Sequence, residues 1–248
     1  PGVAAGLAIS AMVAIVPPLA AMVWLRRRFG APWAAFGLGA LTFVVSQFVL
    51  RLPWQLPLNA YLAKHYGGDQ LVMGAWLAAS ALTAGLFEEG GRAVMYRTMW
   101  RDRSTLGGVS LGVGHGGIES ITLVGVSLVS SLVIYVLLSR GLMTRIPADV
   151  LPKVEAQFAA LTFSTAILGG VERLAALMLH TGCSLLVLEY ARGHGAKWLW
   201  LSIATHAGLN GVVLVLVKLV GAWPAELALV VLAAGVLALA LRRSTQAR

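Results

Sequence analysis

Apolar residues along this chain gather into long runs separated by short polar stretches, with neither the two-residue alternation of a half-buried strand nor the single stripe of a surface helix. Seven runs can be drawn, over residues 3–25, 32–50, 71–96, 107–139, 160–191, 197–218 and 223–241. A helix that crosses a bilayer needs roughly 20 predominantly apolar residues, and each run approaches or exceeds that length. The pattern predicts an all-α, polytopic membrane helix bundle with about seven transmembrane helices. At ~1.5 Å per residue the third, fourth and fifth runs outlast the ~30 Å hydrocarbon layer, so they must tilt, break or project into water. Pro17-Pro18 predicts a kink in the first helix. Gly107-Gly108, Gly112, Gly114 and Gly116-Gly117 predict that the fourth helix packs backbone to backbone against neighbours. The stretches 52–70, with Trp54 and Tyr61, and 146–157 read as outer interfacial loops.

Composition agrees with this reading and adds orientation. Hydrophobic residues make up 58% of the chain and charged residues 12%, against about 25% charged in an ordinary soluble domain, which excludes a soluble globule. No linker, low-complexity tract or repeat interrupts residues 1–248, which read as a single integral-membrane domain. No Lys or Arg precedes the first run, so it is read as a retained helix and not a signal peptide. The lone Cys183 excludes an internal disulfide and any cysteine-based metal site.

The net charge of +9 is a matter of topology. One set of alternate loops and ends carries Arg26, Arg27, Arg28, Arg97, Arg101, Arg103, Arg192, Lys197, Arg242, Arg243 and Arg248, which is eleven; the other carries Arg51, Lys64, Arg140, Arg145, Lys153 and Lys218, which is six. The positive-inside rule puts the first set in the cytoplasm, with the N-terminus outside and the C-terminus inside. Basic residues then face anionic membrane lipids, and nucleic acid is not needed as a partner.

Ionisable groups inside a membrane are costly and therefore candidates for function. They are Glu88, Glu89 and Arg92 on the third span, His115 and Glu119 on the fourth, Glu172, Arg173, His180 and Glu189 on the fifth, and His206 with the polar Asn210 on the sixth. Glu88 lies 9 residues from Arg97, His115 12 from Arg103, His180 12 from Arg192 and His206 9 from Lys197. Those separations correspond to about 14 to 18 Å, so four helices bring carboxylates and imidazoles to one depth near the bilayer centre. His65 and His194 fall in loops as ordinary exposed polar residues.

Within this group Glu89 and Arg92 stand three apart on one face and suit a structural ion pair. Glu88 points about 100° away and has no such local cation, which makes it the better base for activating water. His115 with Glu119, and His206 with Asn210, each share a helix face. Asn210 suits either a donor to a developing oxyanion or an interhelical hydrogen bond. Glu119, a turn deeper, suits pairing with Arg173. Glu172-Arg173 and Glu189 read as structural or interfacial, and Gly182, Cys183 and Ser184 as small packing residues.

The runs FEEGGR (Phe87 to Arg92), GHGGIE (Gly114 to Glu119), HTGCS (His180 to Ser184) and THAGLN (Thr205 to Asn210) resemble, in that order, the YhfC family of intramembrane metalloproteases. That family is similar to PrsW and to the CAAX-processing and bacteriocin-immunity proteases. The resemblance covers roughly residues 80–215, inside a catalytic core of about 71–218. It implies hydrolysis of peptide bonds in membrane-embedded or lipid-linked substrates, in a bacterial inner (plasma) membrane. It casts Glu88, Glu89 and Asn210 as catalytic residues, His115, His180 and His206 as metal ligands, and Arg92 and Glu119 as supports. Family naming implies a metal, and three imidazoles beside a carboxylate suit Zn²⁺; the CAAX-type relatives imply a metal-free glutamate mechanism. The chain has no HExxH, so spacing leaves that choice open.

Two other classes compete. Buried acids and histidines could line an ion path in a transporter, although the repeat symmetry common there is not visible. His180 and His206 could ligate haem, but that leaves Glu88-Glu89 without a role, and no haem is expected. The polar cavity is expected to open toward the basic, cytoplasmic face.

Overall fold

The computed structural model describes residues 2–143, 147 and 149–246. Arg145 and Arg248, counted above among the loop charges, lie outside them, as do residues 146 and 148 of the second interfacial stretch. The described residues form helices without strands, and seven of the helical stretches are long and apolar enough to cross a membrane. These are α1 (Gly2–Phe29), a composite of α2 (Trp33–Phe43) and α3 (Leu52–Tyr66), α4 (Gln70–Thr98), a composite of α5 (Thr105–Glu119) and α6 (Val126–Ser139), then α8 (Phe163–Ala191), α9 (Lys197–Val220) and α10 (Ala222–Gln246). A short α7 (Leu151–Ala159) lies between α6 and α8. The helix starts follow from capping chemistry: Asp69 accepts from Leu71 N and Val72 N, Ser104 from Gly107 N, and Thr162 forms a reciprocal box with Thr165.

Span boundaries match the hydropathy reading, with one substantive correction. Residues 52–70 do not form a loop: Leu52–Tyr66 is helical and continues the second span to 34 residues. Pro53 sits in the first turn of α3, where a missing N–H is tolerated, and Trp76 Nε1 on α4 donates to Asn59 Oδ1 at 2.8 Å. The second stretch also contains a helix, α7, whose Phe158 packs against Leu7 and Tyr135.

α8 is the central helix. In its most apolar window 72% of residues are buried, against 39% or less in the other spans. It can sit there because small residues let α1, α5 and α10 approach closely. A Cβ placed on Gly112 of α5 would lie 2.6 Å from Thr181 Cα, one on Gly170 2.9 Å from Ser10 Cα of α1, and one on Gly182 2.9 Å from Val236 Cγ1 of α10. The glycines of the fourth span thus do what the sequence expects of them.

Both composite spans contain a π-helical segment, Val44–Arg51 and Ser120–Gly125. Such segments shift helix register by a residue and often border functional sites. The second one also compensates for one proline of the pair. α1 runs unbroken from Gly2 to Phe29 through Pro17 and Pro18. Pro18 has no N–H to offer the buried carbonyl of Ala14, and Ser120 Oγ donates to that carbonyl instead, at 2.6 Å. Ser120→Ala is therefore expected to destabilise the bundle by about 1 kcal/mol, lowering the thermal unfolding midpoint in detergent. An unchanged midpoint would mean that the freed carbonyl has found another donor.

Candidate active site

Three close helix approaches assemble the polar cluster. Gly85 lets α4 meet α9: a Cβ there would lie 2.8 Å from Ile203 O. Gly91 lets α4 meet Ser46 of the first π segment, and Gly112 with Gly116 lets α5 meet α8 beside His180. Glu88, Glu89, Arg92, His115, Glu119, His180 and His206 consequently lie together, and Asn210 faces the same cavity.

Glu88 is the hub. Its Oε2 is 2.8 Å from His115 Nε2, 3.7 Å from His180 Nδ1 and 4.0 Å from Arg92, and its Oε1 is 3.9 Å from His206 Nε2. Gln47, on the first π segment, donates its amide to Oε1. Arg51 donates to Gln47 Oε1 at 2.9 Å, and since a guanidinium only donates, the Gln47 NH₂ must be the end that faces Glu88. Arg51 is itself held by Ser80 O at 2.7 Å.

Glu89 has a different environment. It is wholly buried, paired with Arg92, and accepts from Ser202 Oγ at 2.8 Å and His206 Nδ1 at 2.7 Å. The predicted ion pair is present. With Nδ1–H of His206 donating to Glu89, Nε2 carries the lone pair in the neutral ring, the arrangement in which a carboxylate fixes a histidine tautomer. Arg92 also reaches His180 Nδ1 at 2.8 Å, so that nitrogen accepts and the ring presents Nε2 to Glu119 Oε2, 2.5 Å away.

Among the described residues two groups could hold a cation: Glu88, His115, Glu119 and His180, whose donor atoms lie within 4.8 Å of one another, and Glu89, His180 and His206 by the same measure. Glu119, expected a turn deeper as a support, belongs to the first group while also pairing with Arg173 at 3.0 Å. His206 falls in the second group, apart from His115. His115 Nδ1 is buried without a hydrogen-bond partner, which suits it to act as a ligand atom.

A cavity of about 310 Å³ leads away from the cluster. Its walls follow Ala84, Ser80 and Leu77 from Glu88 along α4, Asn210 and Leu214 from His206 along α9, and Ala176 and Glu172 from His180 along α8. Each series runs toward the ends at Gln70, Val220 and Phe163, away from the face of Arg97, Arg192 and Lys197. The expected opening toward the basic face is thus reversed. On that side Tyr96, Leu111, Leu185 and Leu188 form a fully buried apolar cluster beneath the site.

Sequence reasoning overlooked Gln47, Arg51 and Ser202. Gln47 and Arg51 stand four apart at the end of the second run, but Gln47 is uncharged and Arg51 was placed in a loop; in the folded chain Arg51 is buried in the cavity wall. His194 is not an idle loop residue either: its Nδ1 lies 2.8 Å from Glu189, which also pairs with Arg192 at 2.6 Å and approaches Arg243 at 3.2 Å. Glu189 is structural, as expected. His65 stacks on Tyr61 in the exposed α3.

The model of the family described as YhfC intramembrane metalloprotease matches residues 9–231. The chain is 32% identical over 211 residues to the uncharacterized membrane protein YhfC of Bacillus subtilis (strain 168), covering 82% of this chain and 81% of that protein. No solved structure matches. With the four motif helices converging on one buried Glu/His cluster and the family match spanning all of them, the chain belongs to the YhfC intramembrane metalloprotease family.

Proposed function

We propose that this integral membrane protein hydrolyses peptide bonds of membrane-embedded or lipid-linked substrates in a bacterial inner membrane, with Glu88 as general base. The observation that carries this reading is the Glu88 carboxylate lining a polar cavity with His115, His180 and His206 all within 4 Å of it. Gln47 fixes one oxygen of Glu88 and leaves the carboxylate aimed between His115 and the cavity. Glu88 takes a proton from water as the oxygen attacks the scissile carbonyl carbon, and then passes that proton to the departing amine nitrogen. Asn210, whose amide has no protein partner among the described residues, donates to the carbonyl oxygen as negative charge develops there. Glu89 does not line the cavity; it acts through His206, which it orients beside Asn210.

The donor set fits the metal that the family description implies. His115, Glu119 and His180 would hold Zn²⁺, with Glu88 beside it; when bound, the ion would polarise the carbonyl and render water more acidic. Binding through His180 Nε2 requires Arg92 to release Nδ1, since a ring that accepts at Nδ1 keeps its proton at Nε2. The transporter alternative has less support, because the polar groups end against the buried Tyr96, Leu111, Leu185 and Leu188 cluster. For haem, the rings of His180 and His206 are only 5.0 Å apart between centroids, which leaves no space for a macrocycle between them.

Three outcomes test the assignment. Glu88→Gln keeps the side chain's shape but cannot accept a proton, so new peptide termini in membranes expressing the protein should fall at least about 100-fold by mass spectrometry, with thermal unfolding nearly unchanged. Undiminished termini would remove the general-base role. Arg92→Ala, by contrast, strands the buried Glu89 carboxylate at a cost of about 3 to 5 kcal/mol, and should lower the folded yield on size-exclusion chromatography. For the metal, elemental analysis of purified protein should give about one zinc per chain, reduced in His115→Ala and His180→Ala but retained in His206→Ala. Full activity without stoichiometric metal would leave a glutamate mechanism acting through hydrogen bonds alone.

A further inference from the structure

We infer that the site takes its peptide from the extracytoplasmic side of the membrane, so that the substrate is a polypeptide segment lying next to the outer surface or in the outer leaflet. The inference rests on the hydrolytic reading for the word substrate, but its geometry stands apart from that reading.

The cavity leads away from the cluster in one direction. On every helix that contributes both to the cluster and to the walls, the wall residues lie on the same side: Ala84, Ser80 and Leu77 beyond Glu88, Leu123 beyond Glu119, Arg51 beyond Gln47, Leu214 beyond His206. Polar groups continue along this path in Arg51, Asn210, Arg173 and Glu172, which makes it compatible with water and with a peptide backbone. The charged ones are already hydrogen-bonded inside the wall. Arg51 is held by Gln47 and Ser80 O, and Arg173 by Glu119 and Glu172.

The opposite side is closed. Tyr96, Leu111, Leu185 and Leu188 are packed without exposure, and Tyr96 Oη is bonded to Ser184 Oγ at 3.1 Å. Beyond them Arg192 fastens α8 to α10 and to the α4–α5 connection, bonding Glu189, Ser244 O at 2.9 Å and Arg103 O at 2.8 Å. A peptide approaching from that face would have to break this clamp and then the apolar layer.

Charge distinguishes the two faces. Arg51 lies in the wall of the cavity and leaves the loop count, so basic residues of the loops and ends stand at eleven to five in favour of the closed face. That asymmetry places the closed face in the cytoplasm. The open face is then the translocated one, where a substrate presents a segment that has already crossed the membrane.

Accessibility of introduced cysteines to a membrane-impermeant maleimide tests this directly. Cys183, the sole cysteine, is fully buried and can stay as the background. Ser80→Cys and Leu214→Cys probe the cavity, exposed Lys64→Cys marks its face and exposed Arg101→Cys marks the other. The expected result is labelling of Ser80→Cys, Leu214→Cys and Lys64→Cys in right-side-out vesicles, and of Arg101→Cys only in inverted ones. Leu77→Cys replaces Ser80→Cys if that variant does not accumulate. Cavity cysteines that label only with Arg101→Cys, or from neither side, would overturn the inference, as would Lys64→Cys facing the cytoplasm. The same labelling in a Glu88→Gln background reports access independently of chemistry. Failure of the hydrolytic reading would then appear as absent peptide termini with the labelling pattern intact.

Discussion

The guanidinium of Arg92, wholly buried between two adjacent carboxylates and an imidazole, is the counter-charge on which the arrangement depends. Three carboxylates, Glu88, Glu89 and Glu119, sit inside a membrane bundle where an unpaired charge costs several kcal/mol. Arg92 neutralises Glu89 directly, lies 4.0 Å from Glu88 and bonds His180, tying α4 to α8. Through Glu89 the tie extends to Ser202 and His206 on α9. One cation thus lets a carboxylate be spent on holding a histidine, while its neighbour remains beside the cavity.

Backbone proximity makes that economy of charge feasible. Side chains of ordinary length can converge only if helix axes come closer than Leu-lined helices allow, and Gly85, Gly91 and Gly112 provide the approach at the three interfaces that surround the cluster. The π segments complete it. The one ending at Arg51 presents Gln47 and Arg51 to the cavity, and the one that follows Glu119 supplies the hydroxyl that satisfies the carbonyl freed by Pro18. Irregular backbone in this bundle is found beside polar groups that can use it.

Much of this was legible in the sequence because the bilayer imposes few variables. Run length gave the spans, and the fixed rise of a helix turned loop-to-histidine counts into a common depth, which is why His115, His180, His206 and Glu88 were found together. Depth, however, says how far a residue lies from a face and nothing about which side of it is hollow. The direction of the cavity was therefore read the wrong way round. Gln47 was missed because hydropathy and charge flag ions before amides, and Arg51 because Leu52-Pro53 looks like the end of a helix that in fact continues to Tyr66. Tertiary partners such as Ser202 for Glu89 carry no local signal at all.

The apolar layer of Tyr96, Leu111, Leu185 and Leu188 has a consequence for the cell as well as for the site. A membrane that stores energy as a difference in proton concentration cannot afford a continuous file of acids and imidazoles reachable from both of its faces, since such a file conducts. Here the file stops. The carboxylates and histidines meet a cavity on one side only, and the packed side chains beneath them act as the insulation that separates this buried cluster from the other face.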